Sequence, residues 1–517
     1  MVAPSPAPVS AQRRGPLAPR ADDLPFAVTL DRGGPHALHA QLARQLRGAV
    51  LSGTLPPGAP LPGSRTLARR LGVTRGVVED AYAELLADGT LQAEVGRGTR
   101  VRPATPALPA PVAPAAPVPA WLPPAGPLPV DAAAPPEGLN FRLGVTGTRT
   151  LDTRVWRQAW AAAARTPVGG DYGDPAGEGD LRAALAAFVG RQRGLAATKH
   201  DVLVTSGTLH ALNLIVRALL PPGSAVLLEN PGYRAARQVL LDAGHTLLPG
   251  PVDEDGLVVG PHTPPARLAY VTPSHQFPLG GRMCLPRRLA LLEWARTHDA
   301  LIVEDDFDGE FRYDAPPLPT LASLAAQTGA AGRVLYLGTL SKVLTPAVRT
   351  GFIVAPAALR PALVRARTLL DFGHPLPVQQ ALTWLLSGGH VDRHIRRARR
   401  WHAQVRAALT DELLALTPHA TLGGIEAGLH LCLHLHGGLQ ARPLAGALAA
   451  RGLHVSTLDS YVFAGPAPQA LLLGYGGLSA AQARTGGREL ARVVLEQVEA
   501  LGVWGPRAGS ATPATFG

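Results

Sequence analysis

The sequence predicts a multi-domain protein, in which a winged helix-turn-helix module precedes a larger α/β domain with a mostly parallel sheet and a smaller C-terminal α+β part. Its 517 residues exceed the size of one ordinary domain. A Pro/Ala-rich stretch separates two differently patterned regions, and strand and helix patterns alternate after it. The predicted order is a disordered segment at 1–24, the first module at 25–102, a linker at 103–138, the large domain at 139–505 and a tail at 506–517.

The composition restricts the class of protein. A net charge of +11 permits an acidic partner such as nucleic acid. Cys284 and Cys432 lack the spacing of metal ligands, so no disulfide framework or metal site is expected. No run of about 18 apolar residues occurs. We therefore expect a cytoplasmic protein without a membrane span.

The first module begins with a helical pattern, which puts its apolar residues on one stripe: Leu38, Leu42, Leu46, Ala49 and Val50. A second, short helix ends at Gly72, and Thr74 precedes a third helix, "RGVVEDAYAELLADG". The segment "TLQAEVGRGTRV" then predicts two strands joined by a turn. This order is typical of a winged helix-turn-helix, whose second helix of the pair enters the DNA major groove.

The residues placed to reach double-stranded DNA lie at two helix starts and on the wing: Arg65, Thr66, Thr74, Arg75 and Arg97. Ten arginines oppose six acidic residues between Pro25 and Arg102. A packing or dimerisation module with a solvated basic face would show the same topology, so the pattern alone leaves both interpretations open.

Lysine is almost absent from the chain, since only Lys199 and Lys342 occur among 49 basic residues. An amine can lose its proton and condense with an aldehyde, whereas a guanidinium cannot. Lys199 lies in a predicted solvated turn. Lys342 is therefore the candidate for chemistry that requires a lysine, with chance retention as the alternative.

Three further segments complete a pattern around Lys342. The turn Ser206, Gly207 and Thr208 joins a strand to a helix and offers amides and hydroxyls to a phosphate. Asp305 follows a buried strand and can keep a pyridine nitrogen protonated. Arg349 lies seven residues after Lys342. Each feature alone is common in proteins that bind nothing there, but their order matches the needs of pyridoxal 5′-phosphate.

Two resemblances support this interpretation. Leu55 to Val101 resembles the DNA-binding domain of GntR-family regulators, and Tyr172 to about Leu478 resembles a fold-type I aminotransferase. The combination is similar to MocR-type transcription regulators, which implies an operator DNA, a homodimer and pyridoxal phosphate as cofactor.

The resemblance also implies a role for each matching residue. Lys342 would form the Schiff base, Asp305 would hold the ring nitrogen, Tyr233 would stack on the ring and His275 would lie beside it. Tyr172 would reach the phosphate across the dimer interface. The remaining phosphate contacts would come from Ser206, Gly207, Thr208, Thr339 and Arg349.

Two departures bear on activity. Phe307 stands where many relatives have a tyrosine that contacts the cofactor, which leaves His275 as a possible substitute donor. Leu472 and Leu473 stand where aminotransferases carry an arginine for the substrate carboxylate. We therefore expect weak or no full transamination, in a regulator that senses pyridoxal phosphate or a linked amine or amino acid.

Two alternatives remain at this stage. The chain is a true aminotransferase if another arginine replaces the missing one, and it is a cofactor-free regulator if its large domain only dimerises. The regulated genes cannot be read from the sequence, although a sensor without a substrate clamp suits vitamin B6 control.

Two segments have both a structural and a functional interpretation. The basic stretch "HVDRHIRRARRWHAQ" suggests a second nucleic-acid site, but we favour a solvated helix face. His430, His434 and His436 suggest a metal site, but we favour a strand with one polar side.

Overall fold

The fold was analysed in a computed structural model, which describes residues 23–94, 98–103, 137–167, 169–313, 318–424 and 427–502. The chain divides into two compact units, Met1–Gly126 and Pro127–Gly517. Most of the predicted disordered segment, linker and tail, together with Arg97, lies outside the described residues. The predictions for those parts stay predictions.

The first unit contains three helices and a hairpin: α1 Leu38–Leu51, α2 Ser64–Leu71, α3 Arg75–Ala87, β1 Leu91–Glu94 and β2 Gly98–Val101. Leu42, Leu46, Val78 and Leu85 are completely buried between the helices, as the apolar stripes predict. Gly72 ends α2 in the left-handed conformation with φ 63°, which glycine adopts without steric cost. β1 and β2 pair antiparallel to form the wing.

The second unit is larger. Its helices are α4 Thr153–Arg165, α5 Gly179–Arg193, α6 Thr208–Leu219, α7 Arg234–Asp242, α8 Leu285–Thr297, α9 Leu321–Gln327, α10 Arg360–Asp371, α11 Leu376–Ser387, α12 His390–Leu413, α13 Ala441–Ala449 and α14 Ala480–Ala500. Its strands are β3 Leu139–Asn140, β4 Val202–Thr205, β5 Ala225–Asn230, β6 Thr246–Asp253, β7 Gly256–Leu257, β8 Leu268–Val271, β9 Leu301–Asp306, β10 Val334–Thr339, β11 Gly351–Val354, β12 Ala420–Gly423, β13 His430–Leu435, β14 Leu453–His454, β15 Ser456–Thr457 and β16 Ala470–Gly474.

The main sheet has eight strands in the order β4, β11, β10, β9, β8, β5, β6, β7. Pairing is parallel from β10 through to β6, while β11 and β7 run antiparallel to their neighbours. The central strands are apolar and buried on both faces, as is typical when helices cover a parallel sheet. Thr205, Asp305 and Thr339 therefore end their strands at the same edge of the sheet, where such folds bind ligands.

A second, antiparallel sheet lies near the C-terminus, with β12, β13, β16 and β15 in that order. α12, α13 and α14 contribute buried leucines and valines to the core beneath it. This is the predicted α+β part. In the part of the chain that the structure describes, each helix is too short or too polar to traverse a bilayer.

Candidate functional site

A cavity of about 510 Å³ opens where the strand ends of the main sheet meet β13 and the segment after β3. Most of the predicted cofactor residues line it: Gly207, Thr208, Tyr233, Asp305, Thr339, Lys342 and Arg349. These residues are separated by up to 142 positions in the sequence, and the sheet topology alone brings them together.

Lys342 lies three residues beyond β10, with its side chain in the cavity. Its Nζ donates a hydrogen bond of 2.5 Å to the Gly144 carbonyl. Burial lowers the pKa of this amine, while Asp308 and Asp305 oppose the shift. A larger fraction of the amine is therefore neutral, and thus nucleophilic, than for a lysine in water.

The environment of Asp305 leaves one of its oxygens available. Its Oδ2 accepts a 2.5 Å hydrogen bond from the Tyr270 hydroxyl, while Oδ1 is buried and has no partner. Burial, together with the neighbouring Asp306 and Asp308, raises the pKa of this carboxyl to about 7, against the hydrogen bond from Tyr270. A protonated ring nitrogen at Oδ1 would supply the missing partner and favour the ionised carboxylate.

A second group of residues in the cavity lining suits a phosphate. Gly207 has φ 109°, and a Cβ there would lie 3.4 Å from Nη2 of Arg349. Arg349 itself adopts a left-handed backbone with φ 42°, which is uncommon outside glycine and is found at functional sites. Its Nη2 donates to the Ser206 carbonyl at 3.0 Å. The Oγ of Ser341 is buried beside the cavity without a partner.

Ser206 is held differently from its two neighbours. Its backbone N–H donates to Nδ1 of His210 at 3.0 Å, and its side chain does not line the cavity. Burial lowers the pKa of His210 to about 4, so this imidazole is neutral and can accept. His210 therefore fixes the turn that Gly207 and Thr208 present to the cavity.

An aromatic wall forms another part of the cavity lining. Tyr233 and Phe277 meet edge to face, with ring centroids 5.4 Å apart, and Phe307 meets Phe277 in the same way at 5.7 Å. All three line the cavity. A planar ring between Lys342 and this wall would have an aromatic stacking partner.

His275 does not line the cavity but lies behind it. Its Nδ1 is 3.0 Å from Asp308, and its Nε2 is buried without a partner. His430 is also buried, with its ring centroid 4.5 Å from that of His275. Ligand atoms of His275, Asp308 and His430 lie within 4.8 Å of one another. The predicted polar side of β13 is thus partly inside the protein, a grouping that sequence spacing did not indicate.

Tyr172 lies outside the cavity. Its side chain is 78% exposed and stacks on Phe372 with ring centroids 4.8 Å apart. Leu369 and Leu370, close by in the chain, are also exposed. The cavity of a single chain is therefore built without this predicted residue.

The position of the missing carboxylate arginine is apolar. Leu472 is fully buried and packs with Leu143, Phe277 and Tyr461, while Leu473 belongs to the C-terminal core. Two other arginines, Arg142 and Arg234, do line the cavity. Sequence reasoning missed Arg142 because its position depends on the pairing of β3 with β14, a strand far along the chain.

The predicted DNA-contacting residues occupy the starts of two helices in the first unit. Arg65 and Thr66 are in the first turn of α2, and Thr74 and Arg75 begin α3. Arg65, Thr74 and Arg75 are exposed. Arg75 pairs with Glu79 at 2.6 Å on the same helix face.

The lowered pKa of Lys342 predicts how the rate of imine formation depends on pH. We expect the rate at which the protein forms an imine with pyridoxal phosphate to rise with pH through a midpoint below the ordinary lysine value of 10.5. The sign follows because only the unprotonated amine reacts. Stopped-flow absorbance across pH would measure it, and Asp308→Asn should lower the midpoint further by removing a charge that favours the ammonium. A midpoint at or above 10.5 would contradict the assigned environment.

Comparison with known proteins places both units in families. Residues 38–101 match the family model "Bacterial regulatory proteins, gntR family", and residues 141–462 match "Aminotransferase class I and II". The HTH-type pyridoxine biosynthesis transcriptional regulator PdxR of Corynebacterium glutamicum is 36% identical over 88% of this chain and 95% of its own length. The protein named "Probable rhizopine catabolism regulatory protein MocR" of Rhizobium meliloti is 34% identical over 89% of this chain and 94% of its own length.

The solved structures to which this chain is similar include aminotransferases. LysN, an α-aminoadipate aminotransferase from Thermus thermophilus complexed with N-(5′-phosphopyridoxyl)-L-leucine, matches with a TM-score of 0.64 and 28% identity. A kynurenine aminotransferase from Pyrococcus horikoshii, in complex with PMP, matches with the same TM-score and 25% identity. They cover 70% of this chain and 93% and 92% of their own chains, respectively.

Proposed function

This chain belongs to the aminotransferase class I and II family and, through its GntR-type head, to the MocR-type transcription regulators, and from that premise we propose that it regulates transcription in response to pyridoxal phosphate bound at Lys342. The observation that carries the proposal is the single cavity shared by Lys342, Asp305 and Arg349. The cofactor would supply an aldehyde to Lys342, a ring nitrogen to Asp305 and a phosphate to the turn at Gly207.

The buried atoms without partners support this assignment. Oδ1 of Asp305 and Oγ of Ser341 are both buried in residues that line the cavity, and each requires a hydrogen-bond partner. Pyridoxal phosphate offers a donor to the first and an acceptor to the second. Thr208 and Thr339 also line the cavity, and their hydroxyls can donate hydrogen bonds to a phosphate.

We further propose that pyridoxal phosphate itself is the effector and that the regulated genes serve pyridoxine biosynthesis. Leu472 fills the place of the carboxylate-binding arginine with apolar packing, which disfavours amino acids as substrates. The relative that is 36% identical is named for pyridoxine biosynthesis. Footprinting upstream DNA of such genes, with and without pyridoxal phosphate, tests both statements. Protection that ignores the cofactor would contradict the proposal.

The proposed contact of the first unit with DNA leads to a second prediction. Arg65→Gln or Arg75→Gln should weaken operator binding about 10- to 100-fold, since each removes a cation at a helix start that faces the duplex in this motif. Fluorescence anisotropy with the footprinted duplex measures the loss. Arg69→Gln is the matched control, because Arg69 is also an exposed arginine but lies in the last turn of α2, the helix that has Arg65 in its first turn. Equal losses in all three variants would argue against the assigned face.

A homodimer with shared sites is the third element of the proposal. Tyr172 and Phe372 form an exposed aromatic pair, and two exposed leucines precede Phe372. Such apolar groups suit a protein partner more than solvent. Tyr172 would then contact the phosphate bound by the second copy.

We expect Tyr172→Ala to weaken cofactor binding about 10- to 100-fold by removing a hydrogen bond to a charged phosphate. Mixed dimers provide the decisive measurement. A Tyr172→Ala protomer lacks the tyrosine, and a Lys342→Ala protomer lacks the lysine. If Tyr172 acts on the partner's cofactor, a hybrid dimer of the two has one site with both residues. Absence of tight binding after subunit exchange would contradict sharing across the interface.

An active aminotransferase is the second candidate, and Arg142 is the observation that favours it. Arg142 lines the cavity and is one of the charges that disfavour protonation of Lys342, so it lies within electrostatic reach of the reacting amine. It could hold a substrate carboxylate in place of the missing arginine. Turnover of common amino donors at ordinary enzyme rates, abolished in Arg142→Gln, would favour this function over a pure sensor.

A further inference from the structure

We propose that the aminotransferase-like unit carries a second DNA-binding surface, which contacts phosphates of the duplex beyond the segment held by the helix-turn-helix. This inference rests on the proposed regulatory function. The surface, here called the arginine face, consists of Arg149, Arg154, Arg393, Arg396, Arg397 and Arg400. It lies where α12 passes the start of α4.

Four of these arginines form one stripe along α12. Arg393, Arg396, Arg397 and Arg400 follow the three-and-four spacing that puts residues on the same side of a helix. Arg393, Arg396 and Arg400 are exposed, and Arg397 is half-buried. At 1.5 Å per residue the stripe extends about 10 Å.

The start of α4 extends the stripe sideways. The Thr150 carbonyl accepts a hydrogen bond from Nη2 of Arg397 at 3.3 Å, and Nδ1 of His394 lies 3.2 Å from the same oxygen. These contacts fix the segment next to α12. Arg149 precedes Thr150, Arg154 lies in the first turn of α4, and both are exposed.

In the described part of the chain, this surface forms no direct ion pair with a carboxylate. Among the residues that the structure describes, no carboxylate oxygen lies within 4 Å of a guanidinium nitrogen of the arginine face. Asp152 is nearby, and its pKa is lowered by the backbone N–H groups of Val155 and Arg154 that its carboxylate accepts and also by the charges of Arg397 and Arg154. This one carboxylate therefore offsets part of the positive charge without forming an ion pair. Asp392 is directed to Arg191 and Gln192.

α14 shows the contrasting case of a solvated helix in the same unit. Its exposed Arg488 pairs with Glu412 at 3.0 Å, and Arg492 pairs with Glu496 at 2.7 Å. Interspersed charges of both signs are typical of a surface that faces only water. The segment of α12 from Arg393 to Arg400 contains no carboxylate, whereas Glu412 near the end of the same helix is the residue that pairs with Arg488. The arginines of that segment therefore retain their attraction for an external polyanion.

Duplex DNA fits this surface in charge density. It carries one negative charge per roughly 1.7 Å of axis, so a 10 Å stripe faces about six phosphates. A duplex is moreover the ligand expected at the other end of the same chain. We therefore propose DNA binding here in place of the solvated helix face that the sequence favoured, because the stripe is largely exposed and has no ion-pair partner among the described residues.

The test compares two duplexes, one trimmed to the footprint of the helix-turn-helix and one extended by about 15 base pairs on each side. The full-length protein should bind the extended duplex more tightly and with a steeper salt dependence. Arg396→Gln/Arg400→Gln should remove most of that advantage. The slope of log affinity against log salt should fall by roughly 0.9 for each phosphate that the variant no longer neutralises. Binding to the trimmed duplex should not change.

The matched control is Arg488→Gln/Arg492→Gln, which removes the same formal charge from α14. An equal loss of affinity in this control, or equal wild-type affinity for both duplexes, would overturn the surface while leaving the regulator intact. A changed oligomeric mass of the α12 variant would also overturn it, by assigning the stripe to a subunit interface. If no upstream duplex is protected at all, the regulatory function fails together with the surface.

Discussion

Replacing Lys342 with alanine is expected to abolish the imine absorbance that wild-type protein develops with pyridoxal phosphate, and with it any cofactor-dependent change in DNA binding. The imine requires a primary amine inside the cavity, and Lys342 is the lysine that lines it. Alanine is smaller than lysine and fits within the space that the lysine side chain occupies, so the fold should persist. Operator binding without cofactor should therefore remain.

Because lysine is scarce in this chain, few other amines can form the imine in this experiment. The chain has only one other lysine, Lys199, which is exposed in a turn. Borohydride reduction followed by peptide mass spectrometry should place the phosphopyridoxyl group on Lys342 alone, and Lys199→Ala should behave as wild type. Label on Lys199, or imine absorbance that persists in Lys342→Ala, would refute the assigned role.

A separate outcome distinguishes sensing from mere cofactor retention. Wild-type protein should give different footprints with and without pyridoxal phosphate, whereas Lys342→Ala should give one footprint under both conditions. If the wild-type footprints coincide although the imine forms, the cofactor is bound without being sensed, and the aminotransferase alternative gains support.

The sequence predicted the parts of the site that depend on local order. Lys342, Asp305 and the Gly207 turn each follow a strand, and parallel strands bring such ends to one edge. The sequence did not predict that Tyr270 donates a hydrogen bond to Asp305, because a tyrosine within a buried strand has no distinguishing local pattern. Ser341 was detectable by its position beside Lys342.

Besides Ser206, two predicted cofactor residues, His275 and Tyr172, do not line the cavity, and each has a physical reason to lie elsewhere. His275 is drawn behind the wall by Asp308, a pairing between loops that sequence spacing does not encode. Tyr172 precedes α5 and faces solvent in one chain, so its predicted role depends on a second copy. Its assignment stays a prediction until the mixed dimers are measured.

The three consecutive carboxylates that end β9 illustrate a further limit of sequence reasoning. Glu304 accepts the backbone N–H groups of Leu321 and Ala322 at the start of α9, while Asp305 lines the cavity. Asp306 lies 2.6 Å from Nε of Arg193, with both side chains almost fully buried. Alternation along a strand separates these roles, but only the packed structure identifies each partner.

Arg193→Met should therefore destabilise the second unit by about 3–5 kcal/mol, since it leaves the Asp306 carboxylate buried without its cation. The Tyr336 hydroxyl, 2.7 Å from Asp306, would remain as its hydrogen-bond donor. Urea unfolding followed by tryptophan fluorescence measures the loss of stability selectively, because all seven tryptophans lie outside residues 25–102. Arg296→Met, which removes an exposed pair with Glu293, should change the stability far less, because solvent screens that pair.

The double variant Arg193→Met/Asp306→Asn decides the cause of that destabilisation. If the uncompensated charge is responsible, neutralising Asp306 should restore a substantial part of the stability that Arg193→Met removes. If poorer packing around the long Arg193 side chain is responsible, the double variant should be no more stable than the single one. Because Asp306 adjoins Asp305 on β9, the first result also predicts recovery of cofactor affinity along with stability, which ties the buried ion pair to the geometry of the cofactor site.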